Sequence, residues 1–420
     1  MTERSKAIGG HEMKLFKLSF MNLFRYHKRT FITASALAYG ILMFIFIDSF
    51  MAGSSEESFR NYRIHDTGDG QVLAAGWWEH RDDLSLDYVI EDRAIVETAL
   101  KETEVFTPHL DFTADFLFYK SDGFVEDGDL PVVVRAIDTE TAPLVFQQYE
   151  DIVDGRMIES DENSVLLGSW FAEKLGATVG APILLQVKTR YGSTDVIELE
   201  VTGIIHTGDS ALNRKAIYIP LFIADEYLEM EGAITGYTVL AKDKVLESLS
   251  AGLDGSVRFL DYYELTYDFQ SMAAMSDSFI VIIIALIFII ASVGVSNTMM
   301  MGIYERKYEV GMMRSLGMTD GEIMKSFILE AMGIGLIGLS IGIFLAIPLN
   351  IFLVNHGIDY GFMLKDFDVG YRTTGVLHGR WKASSFIYSA LAGISISGIM
   401  AIIPARRILK KPISENLRMN

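Results

Sequence analysis

Four long runs almost free of charge constrain this chain more than any other feature: Phe31 to Met51, Phe279 to Met301, Phe327 to Val354 and Phe386 to Pro404. A helix rising 1.5 Å per residue needs about 20 apolar residues to cross about 30 Å of hydrocarbon, and all four runs meet that length. The first holds one acid, Asp48, the third only Glu330 near its start, and the other two none. Each run is therefore expected to span a membrane. The fourth is the shortest, but its Ser389, Gly393, Ser397 and Ala401 recur every four residues and make one smooth face that admits a neighbouring helix. Gly338, Gly342 and Ala346 repeat the pattern in the third run, where Pro348 predicts a kink. Both patterns read as packing seams.

Orientation follows from the basic residues. Residues 1–30 hold seven (Arg4, Lys6, Lys14, Lys17, Arg25, Lys28, Arg29), the loop between the second and third runs holds Arg306, Lys307, Arg314 and Lys325, and the tail holds Arg406, Arg407, Lys410, Lys411 and Arg418. Excess Lys and Arg mark the cytoplasmic side, so both termini are expected there. Residues 53–276 instead carry 42 acids against 16 bases, a net −26, and are expected on the opposite side. The first run exceeds a signal peptide's apolar core and lacks a clean small-residue cleavage site, so it is expected to remain as an anchor.

The predicted fold is an α-helical membrane protein with four transmembrane helices and a large extracytoplasmic α+β domain between helices 1 and 2. In order, the chain reads as a cytoplasmic segment (1–30), helix 1 (31–52), the periplasmic α+β domain with its stalk (53–276) and helix 2 (277–302). A cytoplasmic coupling helix (303–325), helix 3 (326–354), a periplasmic loop (355–385), helix 4 (386–404) and a cytoplasmic tail (405–420) follow. Within the outer domain, strand patterns occur at Leu130–Ile137, Ser164–Leu167, Pro182–Lys188, Val196–Ile205 and Ala216–Ile219, and helical patterns at Asp92–Glu102 and Trp170–Leu175. Of the adjacent Trp77 and Trp78, one is expected to pack in the domain and the other to face a partner.

Several chemistries are set aside. There is no cysteine, hence no disulfide or thiolate site, and a pI near 4.9 argues against nucleic acid as a partner. No Gly-Lys dipeptide occurs, so the chain has no phosphate-binding loop of the Walker type, and neither H-E-x-x-H nor G-x-S-x-G is present. The acidic loop Asp122–Asp129 lacks spaced calcium ligands and reads as a solvated turn, and the eight histidines are scattered. No catalytic residue, metal site or cofactor is expected in this chain.

Between the second and third runs lies YERKYEVGMMRSLGMTDGEIMK, Tyr304 to Lys325. Its first half is amphipathic: Glu305 and Glu309 stand four apart, and Val310, Met313 and Leu316 or Gly317 are expected together on a neighbouring face. Gly317 permits a turn, after which Thr319 and Glu322 form a capping-box pattern that starts the next helix. A short helix at the inner surface suits contact with a soluble partner, against the plainer alternative of a basic connecting loop.

This segment resembles the E-R-x-x-E-[IV]-G-x-x-[RK]-[AS]-[LI]-G signature of FtsX/MacB-type ABC permeases, with Glu305, Arg306, Glu309, Gly311, Arg314 and Gly317 at the matching positions. Asn22, Arg25 and Arg29 before the first run, Pro404, Ala405, Pro412 and Leu417 in the tail, and GRMIESDENSVLLGSWFAEKLGATVGAPILL in the outer domain are similar to the same family, although Ala181 stands where an acid is common. The resemblance covers nearly the whole chain. The H-G-I-D-Y-G segment at His356–Gly361, four spans and an outer domain of this size resemble the lipoprotein-releasing LolC/LolE-type branch.

The resemblance implies a permease subunit of the bacterial inner membrane, itself no enzyme, with ATP and Mg bound by separate ABC ATPase subunits. It further implies a second permease, identical or paralogous, a lipoprotein substrate drawn from membrane lipid, and a periplasmic carrier that receives it. Glu305, Arg306, Glu309, Gly311, Arg314 and Gly317 would couple to the ATPase, with stalks through Phe59 and along Leu260–Ser276 carrying motion outward. A lipid anchor calls for soft apolar side chains near the outer ends of spans; Met43, Phe46, Ile47 and Phe50 on the first, and Phe279 and Ile283 on the second, fit that need. Alternatives are a MacB-like peptide or drug exporter and an FtsX-like regulator of a cell-wall hydrolase.

Overall fold

The computed structural model describes residues 27–118, 130–242, 245, 246, 249, 253, 255–367, 370–373 and 375–413. Asn22, Arg25, the acidic loop Asp122–Asp129 and Leu417 lie outside the described residues. The main helices are α1 (His27–Tyr62), α2 (Arg93–Leu100), α3 (Ser169–Leu175), α4 (Ser210–Lys215), α5 (Leu221–Leu228), α6 (Tyr267–Glu305), α7 (Lys307–Ser315), α8 (Asp320–His356) and α9 (Ala383–Leu409). The chain divides into two compact units, one from Met1–Gly53, Ala274–Gly357 and His378–Asn420, the other from Ser54–Ala273 and Ile358–Leu377.

In the first unit the four apolar runs lie within α1, α6, α8 and α9, each long and apolar enough to cross a membrane. The small-residue seams act at α8. A side chain at Gly338 would place its Cβ 2.9 Å from the Ala34 carbonyl oxygen, and one at Gly342 would meet the Ala38 carbonyl oxygen at 2.9 Å, so these glycines let the α1 backbone lie against α8. Gly335 does the same toward Gly393 and Ser397 of α9. Helix α8 stays helical through Pro348. The two acids within the four apolar runs are both paired: Asp48 with Lys382 at 3.1 Å and with the Ser385 hydroxyl, and Glu330 with Arg306. Cores around Leu37, Val295, Phe327 and Ile408, and around Ile41, Ile45 and Phe288, fill the space between the helices.

The second unit is built on ten strands: β1 (Gly70–Ala74), β2 (Val105–Phe118), β3 (Leu130–Ile137), β4 (Ile152–Gly155), β5 (Ser164–Gly168), β6 (Pro182–Lys188), β7 (Thr194–Ile205), β8 (Ile217–Pro220), β9 (Gly236–Leu240) and β10 (Val257–Asp261). Six of them close a ring, β2-β3-β8-β5-β7-β6 and back to β2. The period-two patterns explain its filling. Leu110, Phe112, Ala114 and Phe116 of β2, Ile183, Leu185 and Val187 of β6, and Ile197, Leu199 and Val201 of β7 alternate inward into one core. Beyond the ring, β9, β1 and β10 continue from the first half of β2, with α2 packed on them through Val96 and Leu100. Gly70 pairs with Asp261, so the first and last strands of this ten-stranded sheet are zipped side by side.

Trp77 is buried in this second core, and the half-buried Trp78 packs against it with the Arg81 guanidinium 4.5 Å from its ring. Residues 358–377, from the loop between the third and fourth apolar runs, belong to the same unit as the ring.

Candidate functional site

The segment between α6 and α8 is a short helix held at three points. Helix α6 ends at Glu305, and Arg306 leaves helical geometry (φ −102°, ψ 21°), so Glu305 and Glu309, read as i and i+4 of one amphipathic helix, lie on different helices. Helix α7 follows, then Gly317 turns the chain at φ +95°, where an L side chain would be strained. The capping box is present: Thr319 accepts from the Glu322 amide while the Glu322 carboxylate accepts from the Thr319 amide at 2.8 Å.

The first anchor of α7 is apolar. Val310 is fully buried, and Met313 and Met318 pack with Ile303, Ile323, Phe327, Ala405 and Ile408. Leu316, expected beside Val310 and Met313, is instead 85% exposed because the helix ends at Ser315 and the chain turns away. The second anchor is ionic. Arg306 Nη2 donates to both Glu330 carboxylate oxygens, at 2.8 and 2.7 Å, with both side chains buried and the guanidinium 5.6 Å from the Phe327 ring. The third is Arg314, whose Nη1 donates to the Lys411 carbonyl at 2.8 Å and whose Nε pairs with Asp320 at 3.0 Å. Arg314 thereby joins α7 to the start of α8 and to the segment after α9.

Of the six signature residues, Arg306, Gly311 and Arg314 thus face inward or toward neighbouring segments, Glu309 is half-buried, and Glu305 and Gly317 are exposed. What α7 presents outward is a pair the sequence reading missed, Tyr308 and Met312, four residues apart and exposed, with exposed Tyr304 before the break at Arg306 and exposed Leu316 just after the helix end. Their spacing was available in the sequence; the break at Arg306 and the burial of Val310 decide which face they occupy. An exposed apolar pair on a rigidly held helix can dock a partner and receive force, and it carries no catalytic group.

The candidate lipid residues remain on half-open surfaces. Met43, Phe46, Ile47 and Phe50 are partly buried along α1, with the Phe46 and Phe50 rings stacked at 6.4 Å. Phe279 and Ile283 are exposed on α6. Toward α6 and α9 it is Phe44 that lines an apolar groove of about 470 Å³, with Ile284, Phe288, Tyr388, Ile396 and Met400.

A second charged cluster, unread from the sequence, sits in the ring unit. Arg135 of β3 donates through Nε and Nη2 to Asp111 of β2 at 2.7 and 3.0 Å, and through Nη1 to Asp66 at 2.9 Å. Burial opposes the Arg135 charge, but Asp111 and Asp66 outweigh it and hold its pKa well above the usual value. His109, fully buried nearby, is pushed down to about 4 by that burial, with Asp111 opposing the shift.

Comparison with known proteins adds the decisive observation. A family model described as the MacB-like periplasmic core domain matches residues 30–254, more than half of the chain, and one described as the FtsX-like permease C-terminal region matches residues 281–413. The chain belongs to the FtsX/MacB-type family of ABC transporter permeases. The permease is 25% identical over 64% of its length to an uncharacterized ABC transporter permease of Methanocaldococcus jannaschii. It is 22% identical over 69% to the lipoprotein-releasing system transmembrane protein LolC of Xylella fastidiosa, and 27% identical over 36% to the macrolide export ATP-binding/permease protein MacB of Escherichia coli. The matched regions span 65%, 73% and 25% of those relatives. Permeases of this family work with ABC ATPase partners.

Proposed function

We propose that this permease is the membrane subunit of an ABC transporter that draws lipoproteins from the outer leaflet of the bacterial inner membrane and passes them to a periplasmic carrier. Both termini and α7 face the cytoplasm in this reading, where separate ATPase subunits bind ATP and Mg. A second permease, identical or paralogous, completes the complex.

The observation that carries the reading is the exposed pair Tyr308 and Met312 on a short helix fixed by buried contacts, with exposed Tyr304 and Leu316 at its two ends. A rigid apolar ridge in a basic loop is suited to a groove on a soluble motor, and its ties to α6, α8 and the segment after α9 spread a push over several spans. Glu305, Glu309 and Gly317 flank that ridge. For the substrate, Met43, Phe46, Ile47 and Phe50 on α1 and Phe279 and Ile283 on α6 offer soft apolar surface to acyl chains. The similarity to LolC supports a lipid-anchored cargo.

The test is reconstitution of the permease with its co-purifying chains in vesicles loaded with a lipoprotein. ATP should release cargo to a soluble acceptor, and photoreactive residues at Met43, Ile47 or Phe50 should capture lipoprotein with a yield that ATP lowers. Capture absent in a complex that still hydrolyses ATP refutes the lipid site. A second reading, export of a peptide or drug, is favoured by the match of residues 30–254 to the MacB-like model; ATP-driven transport of soluble cargo without lipoprotein release would decide for it.

A further inference from the structure

Within the ring unit, residues 371–373 of the loop between α8 and α9 are gripped from several directions. The Arg372 guanidinium donates from Nη2 to Asp66 at 2.9 Å, places Nη1 3.6 Å from the fully buried Asp209, and lies 3.8 Å over the Tyr62 ring. Its backbone is clasped as well. Asn61 Nδ2 donates both to the Arg372 carbonyl at 2.7 Å and to the Gly208 carbonyl at 2.9 Å. The Ser210 amide donates to the Thr373 carbonyl at 3.2 Å, and the Ser210 hydroxyl to the Tyr371 carbonyl at 3.3 Å. The Tyr371 ring stands edge-on to Phe269 at 5.6 Å, and Phe269 in turn packs on Phe59 and Tyr62 at 4.8 and 5.2 Å.

Four separate stretches of chain meet here: the end of α1 (Phe59 to Tyr62, then Asp66), residues 208–210 leading from β7 into α4, the start of α6 (Phe269) and the loop between α8 and α9. From Asp66 the charges continue through Arg135 to Asp111, which are register partners on β3 and β2 of the closed ring. Arg372 therefore joins Asp209 to a run of alternating charges that starts on β2 and β3, on the face opposite the ring's core.

We propose that Arg372 is a positioning residue of the transport cycle, pinning the ends of α1 and α6 to the strand ring so that they move with it as one body. Resting on the transporter reading above, this adds a third link to the two stalks. Anchoring the loop does not require Arg372, because Arg214 already donates to the Leu364 and Phe367 carbonyls at 2.6 and 3.2 Å and Lys365 pairs with Glu173 at 2.8 Å. Buried ion pairs add little net stability, and a planar fork that also stacks on a ring is a task for Arg and not for Lys.

The natural absence of cysteine allows a direct test by spin labels in the full chain with its ATPase. Labels at Arg60→Cys on α1 and Val153→Cys on β4 report the distance between the helix end and the sheet. In the parent this distance should be narrow and the same with and without ATP. Arg372→Gln should broaden it and make it change with ATP, while hydrolysis continues. Arg372→Lys and Asp209→Asn should broaden it less, and they carry the test if Arg372→Gln does not fold. Lys365→Ala, which cuts a peripheral tie of the same loop, should leave it narrow. A parent distance that shifts with ATP, or an Arg372→Gln distance as narrow as the parent's, overturns the proposal. Loss of hydrolysis by the parent complex instead refutes the transporter reading, and broadening by Arg372→Gln without nucleotide still decides the pin.

Discussion

Arg306 Nη2 donates to both carboxylate oxygens of Glu330, at 2.8 and 2.7 Å, across 24 positions of sequence and with both side chains buried. The pair closes the turn between α6 and α7 against α8, so the orientation of the exposed Tyr308 and Met312 depends on it. Removing one partner leaves an uncompensated buried charge, which typically costs about 3–5 kcal/mol, whereas replacing both by apolar residues is often close to neutral. Glu330→Leu should therefore lower the unfolding midpoint of the purified chain, and Arg306→Met with Glu330→Leu should restore most of the loss. Equal midpoints for the parent and Glu330→Leu would show that the pair does not hold α7.

Arg314 links α7 to Asp320 and to the Lys411 carbonyl. Arg314→Glu sets like charges at the first contact and removes the donor at the second. It should insert and fold, hydrolyse ATP with its partner, and transport less per ATP. Glu309→Lys, on the same short helix, should behave alike. Undiminished transport per ATP in both variants would remove α7 from the coupling path.

The close approach of α1 to α8 depends on the missing side chains at Gly338 and Gly342. Gly338→Leu places its Cβ 2.9 Å from the backbone oxygen of Ala34, and overpacking of this kind costs roughly 1–3 kcal/mol. Thermal unfolding in detergent should fall accordingly, whereas Gly294→Leu on α6, where a Cβ meets open space, should be tolerated.

His109 gives the ring unit a pH dependence. Its folded pKa of about 4 lies below the unfolded value near 6.5, so between those limits the unfolded chain binds the extra proton. Stability should be level in this respect above about pH 6.5, fall by up to about 1.4 kcal/mol per pH unit down to pH 4, and level off below. Urea unfolding followed by tryptophan emission reports on this unit, since Trp77, Trp78 and Trp170 all belong to it. His109→Gln should flatten the slope in that window; an unchanged slope would place the titrating group elsewhere.

Local signals carried much of the reading. Apolar runs found the four long helices, and Gly317 with Thr319 and Glu322 marked the turn and cap before α8 because each acts within a few residues. Strand β2 is absent from the sequence reading although Asp111 and Asp115 alternate with Leu110, Phe112, Ala114 and Phe116; Pro108 interrupts its first half, and it holds because β9, β6 and β3 pair along its two edges. The resemblance places Arg306 in the coupling set, while its pairing with Glu330, 24 residues away, is no local signal. The usable signal was Glu330 itself, a lone acid in an apolar helix that demands a nearby base. Arg372 carried no local signal, since Asp66 and Asp209 reach it only through the tertiary fold.

The most direct measurement places a photoreactive residue at Tyr308 and, separately, at Met312 in the full permease within native membranes, and identifies what is captured. Both sites should yield an ABC ATPase, with capture lost when Glu330→Leu is added, while the same residue at Val153 in the ring unit should yield none. Capture of an ATPase at Val153, or of no ATPase at either α7 site in a membrane where the complex hydrolyses ATP, would contradict docking on this helix.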